Sequence, residues 1–152
     1  MKIVFVDIDG VLHGDKWLFE TYSNNWPSLE RENDHKWFQK ECVDRLNSIT
    51  EKGNARIIIH SSWRHFRTQD ELTELFKKVG ITGRVLGVTE GQVRHRSIES
   101  CLLDNPEIEK FVVLDDLASA WNGPELIHID VVFGLQDSHI KEALKILNGQ
   151  VD

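Results

Sequence analysis

Short apolar runs recur along the chain and are separated by segments in which apolar residues have a helical spacing. The runs occupy residues 3–6, 57–59, 85–88 and 111–114, and residues 127–133 add one or two more. They are rich in β-branched and aromatic residues and are nearly continuous rather than alternating. This pattern is typical of strands that are covered on both faces of a parallel sheet.

Helical spacing is found at about residues 38–53, 68–80, 98–105 and 140–149. Gly53 is predicted to end the first of these helices, and Thr68 with Glu71 predicts a capping box at the start of the second. Strands and helices therefore alternate. This order predicts a doubly wound α/β fold, a three-layer sandwich with a mostly parallel sheet and right-handed crossovers. A chain of 152 residues has room for one such domain, which is predicted to span residues 1–152.

One segment, residues 13–36, interrupts the alternation and has no clean period. It contains Trp17, Phe19, Tyr22 and Trp26, and so many aromatic residues argue against disorder. We interpret the segment as a small ordered flap that is too short to form a full cap domain. Its rings can stack on a nucleobase or pack on one another, and packing is favoured for most of them, with one ring reaching the substrate.

Composition narrows the function classes. The formal net charge is −7 and there is no long basic run, which disfavours a protein held to nucleic acid by broad charge neutralisation. Cys42 and Cys101 lie far apart in helical segments and are interpreted as buried, reduced thiols. Asp7 and Asp9 interrupt the first apolar run, so a signal peptide is not expected. No apolar run approaches the length of a membrane span, and we expect an intracellular, cytoplasmic protein without a membrane partner.

Polar residues follow three of the predicted strands at the point where each strand ends. Asp7 and Asp9 follow the first, residues 60–64 follow the second, and Asp115 and Asp116 follow the fourth. Parallel strands bring these ends to one edge of the sheet, where ligands bind in open α/β folds. Four carboxylates converging there repel one another unless a cation joins them. A hard ion with oxygen ligands fits, and Mg²⁺ is the common one.

Gly10 allows a sharp turn directly after the first two acids. Asp7 and Asp9 could then face one small ligand together with nearby backbone groups. An isolated Asp-x-Asp-Gly also fits a solvated turn. Its position after an apolar strand, together with the other two strand ends, favours a functional site.

These residues carry a resemblance to a known superfamily. Residues 7–12 resemble the first signature motif of the haloacid-dehalogenase-like (HAD) superfamily, residues 57–61 its second, and residues 111–116 its fourth. More narrowly, residues 61–64, an arginine opening the third helix, and residues 114–117 resemble the HAD domains associated with Swiss Army knife RNA-repair proteins. The resemblance implies a HAD-like, Rossmann-like fold and covers nearly the whole chain.

The resemblance also implies roles for individual residues. Asp7 is the expected nucleophile, forming an aspartyl-phosphate, and Asp9 the expected general acid and base. Mg²⁺ is expected on the side chains of Asp7 and Asp115 and on the backbone carbonyl of Asp9. Asp116 is either a further direct ligand or a residue behind the ligands. Ser61 is expected to donate a hydrogen bond to a phosphoryl oxygen.

Some assignments remain open between neighbours. Ser62 is the alternative to Ser61 as the phosphate donor, and it could instead be a helix cap. The superfamily usually has a lysine in its third motif, where this sequence offers Arg94 or Arg96, and the spacing to the helix favours Arg94. Arg64 could bind a second phosphate or substrate group, or it could bond backbone carbonyls.

Three histidines, His13, His60 and His65, lie near these motifs in the sequence. No spacing among them calls for zinc. Packing or surface roles are favoured for all three.

The resulting hypothesis is a Mg²⁺-dependent phosphomonoester hydrolase that acts through an aspartyl-phosphate. Its partner would be a phosphorylated small molecule or a nucleic-acid terminus, with a nucleotide or polynucleotide end as the leading substrate and a phosphosugar or phosphoprotein open. Two alternatives come from other classes. Clustered carboxylates also serve metal-dependent nucleases, and a HAD-like domain can be a non-catalytic regulator.

Overall fold

A computed structural model describes residues 1–23 and 25–149. Within these residues, parallel strands form a single sheet in the order β3-β2-β1-β4-β5. The strands are β1 (Lys2–Val6), β2 (Arg56–Ile59), β3 (Val85–Val88), β4 (Lys110–Asp115) and β5 (Leu126–His128). The central strand β1 is fully buried from Ile3 to Val6, which explains why its sequence is apolar on both faces.

Five helices of the described chain pack on the sheet or at its edge. They are α1 (Asp15–Tyr22), α2 (Lys40–Gly53), α3 (Gln69–Lys78), α4 (Arg94–Asp104) and α5 (Asp137–Asn148), and short 3-10 helices occupy Arg31–Trp37, Ser62–His65 and Ala118–Ala120. Leu46, Leu72 and Leu147 place α2, α3 and α5 on one face of the sheet, whereas Ile98 places α4 on the other. The predicted three-layer, doubly wound α/β fold is therefore confirmed. No helix of the described residues is long and apolar enough to cross a membrane.

Several predicted element boundaries need correction. Gly53 is the last residue of α2, and the left-handed turn that ends this helix is made by Asn54, whose φ is 49°. Residues 127–133 give only the short strand β5, because residues 131–133 form a turn. In that turn the Asp130 carboxylate accepts the Val132 N–H at 2.9 Å. The capping box of Thr68 and Glu71 at the start of α3 is confirmed.

The segment from residue 13 to 36, which we call the flap, contains a helix that the sequence pattern did not predict. Its helix α1 begins where Asp15 N–H and Lys16 N–H donate to the carbonyls of Val131 and Val132, at 2.9 and 3.0 Å. Leu18 is the residue of α1 that is fully buried. One buried side chain gives too little apolar periodicity for recognition, so tertiary contacts account for this helix.

The aromatic residues of the flap contact other rings. Trp17 meets Tyr22 edge to face at 5.9 Å between ring centroids, and Trp26 meets Trp37 in the same way at 6.1 Å. The Tyr22 hydroxyl donates to the Lys36 carbonyl at 2.9 Å. Trp26 nevertheless remains 46% exposed. The rings thus pack on one another while one face of Trp26 stays open.

A buried ion pair joins the flap to the body of the protein. Arg67 donates to both carboxylate oxygens of Asp34, from Nε at 2.7 Å and from Nη2 at 2.9 Å. Nη2 also donates to the Leu29 carbonyl at 2.7 Å. Both charged side chains are buried, and their two-pronged geometry is the strong form of this interaction.

Both cysteines are free thiols. Cys42 is buried, as expected, and burial raises the pKa of its thiol to about 11. At neutral pH this thiol therefore stays protonated and unreactive. Cys101 differs from the prediction because it is only half-buried.

Candidate active site

The carboxyl ends of β1, β2 and β4 meet at one edge of the sheet. In the register of these strands Val6 lies opposite Ile59 on one side and Leu114 on the other. The ladder continues one residue further, where His60 N–H donates to the Val6 carbonyl at 2.8 Å and Asp7 N–H donates to the Leu114 carbonyl at 3.1 Å. The backbone pairing itself brings the polar strand ends together.

Three carboxylates form a cluster at this edge. One oxygen from each of Asp7, Asp115 and Asp116 lies within 4.8 Å of the others. Asp7 and Asp115 are buried and Asp116 is half-buried. Burial raises the pKa of Asp7 well above its usual range, and the charge of Asp115 adds to this rise. Burial likewise raises the pKa of Asp115 to about 6.

This cluster suits a divalent cation. Its donors are carboxylate oxygens, the ligands that Mg²⁺ prefers. Burial and mutual repulsion disfavour the charged forms of Asp7 and Asp115 in the protein alone. A bound cation would relieve both effects, so the donor set and its electrostatics fit the metal that the sequence predicts.

Arg94 is placed beside the cluster by the first turn of α4. Its Nη1 donates to Asp7 at 3.1 Å and to Asp115 at 2.8 Å. Arg96 lies two residues further along the helix and is exposed. Of the two arginines that the sequence left open, the structure therefore brings Arg94 to the acids. Its part in catalysis remains a prediction.

Gly10 fits the loop after β1 for two independent reasons. Its φ is +77°, a left-handed conformation that favours glycine. A Cβ atom at this position would also lie 2.8 Å from Cγ of Asp116. The close approach of this loop to the end of β4 therefore depends on the missing side chain.

Asp9 is not part of the carboxylate cluster, and its side chain is 53% exposed. The indole N–H of Trp63 donates to one of its carboxylate oxygens at 3.1 Å. Nε2 of His13 lies 3.5 Å from the other. Nδ1 of His13 donates to the Trp37 carbonyl, and burial lowers the pKa of His13 against the opposing charge of Asp9. The hydrogen bond from Trp63 thus orients the Asp9 carboxylate, and the His13 ring lies beside it.

No role was predicted for Trp63, and a packing or surface role was predicted for His13. Trp63 comes directly after Ser61 and Ser62 at the carboxyl end of β2. Because the site lies at the carboxyl ends of the strands, this position could have indicated that Trp63 belongs to it. His13 lies four positions after Asp9, but this spacing predicts no contact by itself, and it is the fold of the loop after β1 that places His13 beside Asp9.

Ser61 and Ser62 differ from the prediction in one respect, which is the identity of the helix cap. Ser61 is fully buried, and its hydroxyl oxygen accepts the Trp63 N–H at 3.2 Å at the start of a 3-10 helix. The cap considered for Ser62 is therefore made by Ser61, because Ser61 keeps the extended conformation of the N-cap. Ser62 is exposed. The Ser61 hydroxyl retains its own proton for donation, and the choice of phosphate donor remains a prediction.

Arg64 donates to two backbone carbonyls, those of Ser61 at 2.9 Å and Gly91 at 2.7 Å. Of the two roles considered for Arg64, phosphate binding and bonding to backbone carbonyls, the structure shows the second. Arg64 thereby ties the end of β2 to the loop before α4, and so helps to hold Arg94 in place. Contact between Arg64 and a second phosphate remains a prediction.

His60 is fully buried behind the site. Its Nδ1 lies 2.7 Å from the Thr89 hydroxyl, and its Nε2 has no hydrogen-bond partner among the described residues. Burial lowers its pKa to about 3, and the charges of Arg94 and Arg64 contribute. His60 is therefore neutral at physiological pH, whereas His65 lies exposed at the surface.

A cavity of about 270 Å³ adjoins Asp9 on the side of the flap. We call it the aromatic cavity, because Trp26, Trp37, Trp63 and Phe66 form much of its lining. Two of these rings, Trp63 and Phe66, contact each other at 5.7 Å between centroids. The carboxylate of Asp9 therefore borders an apolar space whose walls come from both the flap and the body.

Comparison with protein families identifies a match over most of the chain. The model described as the HAD domain in Swiss Army Knife RNA repair proteins matches residues 3–140, which include the three strand ends that form the site. Comparison with curated proteins and with solved structures finds no match to the chain. The resemblance predicted from the strand-end motifs is thereby confirmed. The chain belongs to the family of HAD domains of Swiss Army Knife RNA repair proteins and is a HAD-like hydrolase domain.

Proposed function

We propose that this domain hydrolyses phosphate monoesters with Mg²⁺ and forms an aspartyl-phosphate on Asp7. One observation carries the proposal. Oδ1 of Asp7 is held by the Ile8 N–H at 2.7 Å, while its Oδ2 faces Arg94 beside the carboxylates of Asp115 and Asp116. One oxygen is thus fixed and the other is presented where a cation and a phosphate would meet.

The side chains of Asp7, Asp115 and Asp116 would hold the metal, and the backbone carbonyl of Asp9 would be a further ligand. Bound Mg²⁺ would offset the charge of a phosphate that otherwise repels an anionic nucleophile. Arg94 would contribute a second positive charge at the same place, in the role that a lysine usually has in the superfamily. Its planar guanidinium suits phosphate oxygens.

In the first step an oxygen of Asp7 bonds to phosphorus as the bond from phosphorus to the leaving oxygen breaks. Asp9, as a carboxylic acid, gives its proton to that leaving oxygen. In the second step the Asp9 carboxylate takes a proton from water, whose oxygen attacks phosphorus and releases phosphate from Asp7. The Ser61 hydroxyl would donate to a phosphoryl oxygen throughout.

The phosphate would be carried by a nucleotide or by a nucleic-acid terminus. The family description, which names RNA repair, supports this class. The net charge of −7 fits an enzyme that contacts a few phosphates locally rather than a long backbone. The proposed substrate is therefore small or is the end of a longer strand.

The reaction is tested with p-nitrophenyl phosphate and with beryllofluoride, which mimics a phosphoryl group on a carboxylate. Wild-type activity should vanish in EDTA and return with Mg²⁺, and beryllofluoride should be trapped on Asp7. Asp7→Asn should abolish both turnover and trapping. Asp104→Asn, which changes an exposed acid at the end of α4, is the matched control and should behave as wild type.

A metal-dependent nuclease needs no covalent aspartate. Cleavage of a phosphodiester by an enzyme that traps no beryllofluoride would favour that alternative over the phosphatase. Wild-type turnover by Asp7→Asn would contradict the assignment of the nucleophile.

A further inference from the structure

We infer that the aromatic cavity binds a planar, uncharged ring of the leaving group, as in the base of a nucleoside phosphate. The inference rests on the proposed function, because it assigns the leaving group to the side of Asp9 that faces the cavity. It adds a binding site that neither the strand-end motifs nor the carboxylate cluster contains. Trp26 and Phe66 are the residues that would contact the ring.

The position of Asp9 gives the cavity its connection to the chemistry. Asp9 is part of the cavity lining, and the Trp63 N–H holds its carboxylate at 3.1 Å. A group that receives a proton from Asp9 must start within hydrogen-bond reach of this carboxylate. The lining of the cavity includes none of the clustered acids Asp7, Asp115 and Asp116. The part of the substrate beyond the leaving oxygen would therefore lie in or next to the aromatic cavity.

The walls of the cavity suit a flat ring. Trp26 and Phe66 are large apolar side chains that are 46% and 44% exposed, although each contacts a neighbouring ring. Trp37 stands perpendicular to Trp26 and contacts it from one side, and Trp63 contacts Phe66 in a tilted arrangement with an interplanar angle of 37°. The exposed surface of Trp26 therefore offers a place for a base to stack, whereas the Phe66 ring is shared with the Arg67 guanidinium, 5.1 Å from its centroid. The volume of about 270 Å³ is near the lower end of small-molecule sites, which indicates one ring system.

Charge sets the orientation of the substrate. The described residues that line the cavity include the carboxylates of Asp9 and Asp15 but no lysine or arginine. A phosphate would be repelled there, whereas Arg94 beside Asp7 attracts one. The phosphate and the ring therefore occupy opposite sides of Asp9.

Two substrates that differ only in the presence of a base measure how much the ring contributes to catalysis. AMP carries adenine, and ribose 5-phosphate has the same sugar phosphate without it. For the wild type we expect kcat/KM to be about tenfold higher for AMP, the size of one stacking contact. Trp26→Ala should reduce this ratio to near one, and Trp26→Phe, which keeps a ring, should retain much of it.

Phe19→Ala is the matched control. Phe19 is an exposed aromatic residue of the same flap, and it does not line the cavity, so its removal should leave the ratio at the wild-type value. Thermal melting of each variant checks that it is folded. An AMP preference that is equal in wild type and Trp26→Ala, or that is absent in wild type, would overturn the inference.

Binding without chemistry provides an independent measurement. Adenosine has the ring but no phosphate, and it should quench tryptophan fluorescence saturably in Asp7→Asn but not in the double variant with Trp26→Ala. Failure to hydrolyse either phosphate would contradict the proposed function, whereas unchanged quenching in the double variant would contradict the ring site. Comparing AMP with a phosphorylated oligonucleotide then distinguishes a free nucleotide from a nucleic-acid end.

Discussion

Asp7 occupies a position in which a carboxylate is costly to keep charged. It is buried, close to Asp115, and paired only in part by Arg94. Its raised pKa means that the folded state holds a proton more tightly than the unfolded state does. Above the usual carboxyl range, ionisation of Asp7 therefore lowers the stability of the metal-free protein, and below that range the cost disappears because both states are protonated.

This cost predicts that Asp7→Asn stabilises the metal-free protein while it abolishes activity. Asparagine keeps an oxygen for the Ile8 N–H and removes the repulsion from Asp115. The melting temperature in EDTA at neutral pH should rise by a few degrees, the shift that about 1 kcal/mol gives for a domain of this size. The gain should shrink as the pH falls toward 4, the usual carboxyl range. A lower melting temperature at neutral pH would contradict the argument.

Trp63 is predicted to act by orienting Asp9. Trp63→Phe removes the N–H that Asp9 accepts but keeps a ring to pack between Phe38 and Phe66. A hydrogen bond to a charged group contributes about 1.5–3 kcal/mol, so kcat should fall about tenfold or more, with a smaller change in KM.

The control for this prediction is a second tryptophan whose indole N–H also donates to a carboxylate, but away from the site. Trp121 donates to a Glu125 carboxylate oxygen at 2.9 Å, and it packs against the other side of the sheet. Trp121→Phe should leave kcat unchanged. An equal fall in kcat for both variants would show that stability, and not the orientation of Asp9, is affected.

The residues that sequence could identify are those with a local signature. Asp7, Asp9 and Gly10 form a compact pattern after an apolar strand, and Asp115 and Asp116 end another. Trp63 and His13 were not assigned to the site because each reaches Asp9 only through the fold. No spacing along the chain records that the loop after β1 lies over the 3-10 helix after β2.

At the scale of elements, the central strands were the most predictable. β1, β2 and β4 are covered on both faces, so their sequences are continuously apolar. Helix α1 could not be recognised because it buries only Leu18 and is held by backbone bonds to residues 131–132. Residues 131–133 were predicted as strand because they are apolar. In the structure they form a turn, and α1 docks against that turn.

The buried pair of Asp34 and Arg67 should dominate the attachment of the flap. Asp34→Ala leaves the Arg67 guanidinium buried without its carboxylate, and breaking a buried pair in this way costs about 3–5 kcal/mol. Chemical denaturation should therefore show a large loss of stability. Adding Arg67→Met should recover part of it, because the uncompensated charge is then removed as well.

Asp44→Ala is the matched surface control. Asp44 pairs with Lys40 at 2.8 Å, but both side chains are exposed, and such a pair contributes about 0.3–0.5 kcal/mol. Comparable losses for Asp34→Ala and Asp44→Ala would mean that the buried pair does not anchor the flap.

For the whole molecule, the acidic cluster predicts a stability that depends on Mg²⁺. A ligand that binds only the folded state stabilises it by about 2.7 kcal/mol at one hundred times its Kd. Titration with Mg²⁺ should therefore raise the melting temperature of the wild type by several degrees. Asp115→Asn should respond much less, while Asp104→Asn should respond as wild type does. A wild-type melting temperature that is independent of Mg²⁺ up to millimolar concentrations would contradict the site.

The central place of β1 has a consequence for the timing of biosynthesis. β1 pairs with β2 on one side and with β4 on the other, and Asp115 and Asp116 follow Asp7 by most of the length of the chain. On the ribosome, the growing polypeptide therefore carries Asp7, the proposed nucleophile, long before the acids that complete the cluster. Phosphatase chemistry would begin only after β4 has been translated, released and inserted beside β1. A product of premature termination after β3 would retain Asp7 and Asp9 yet be inert.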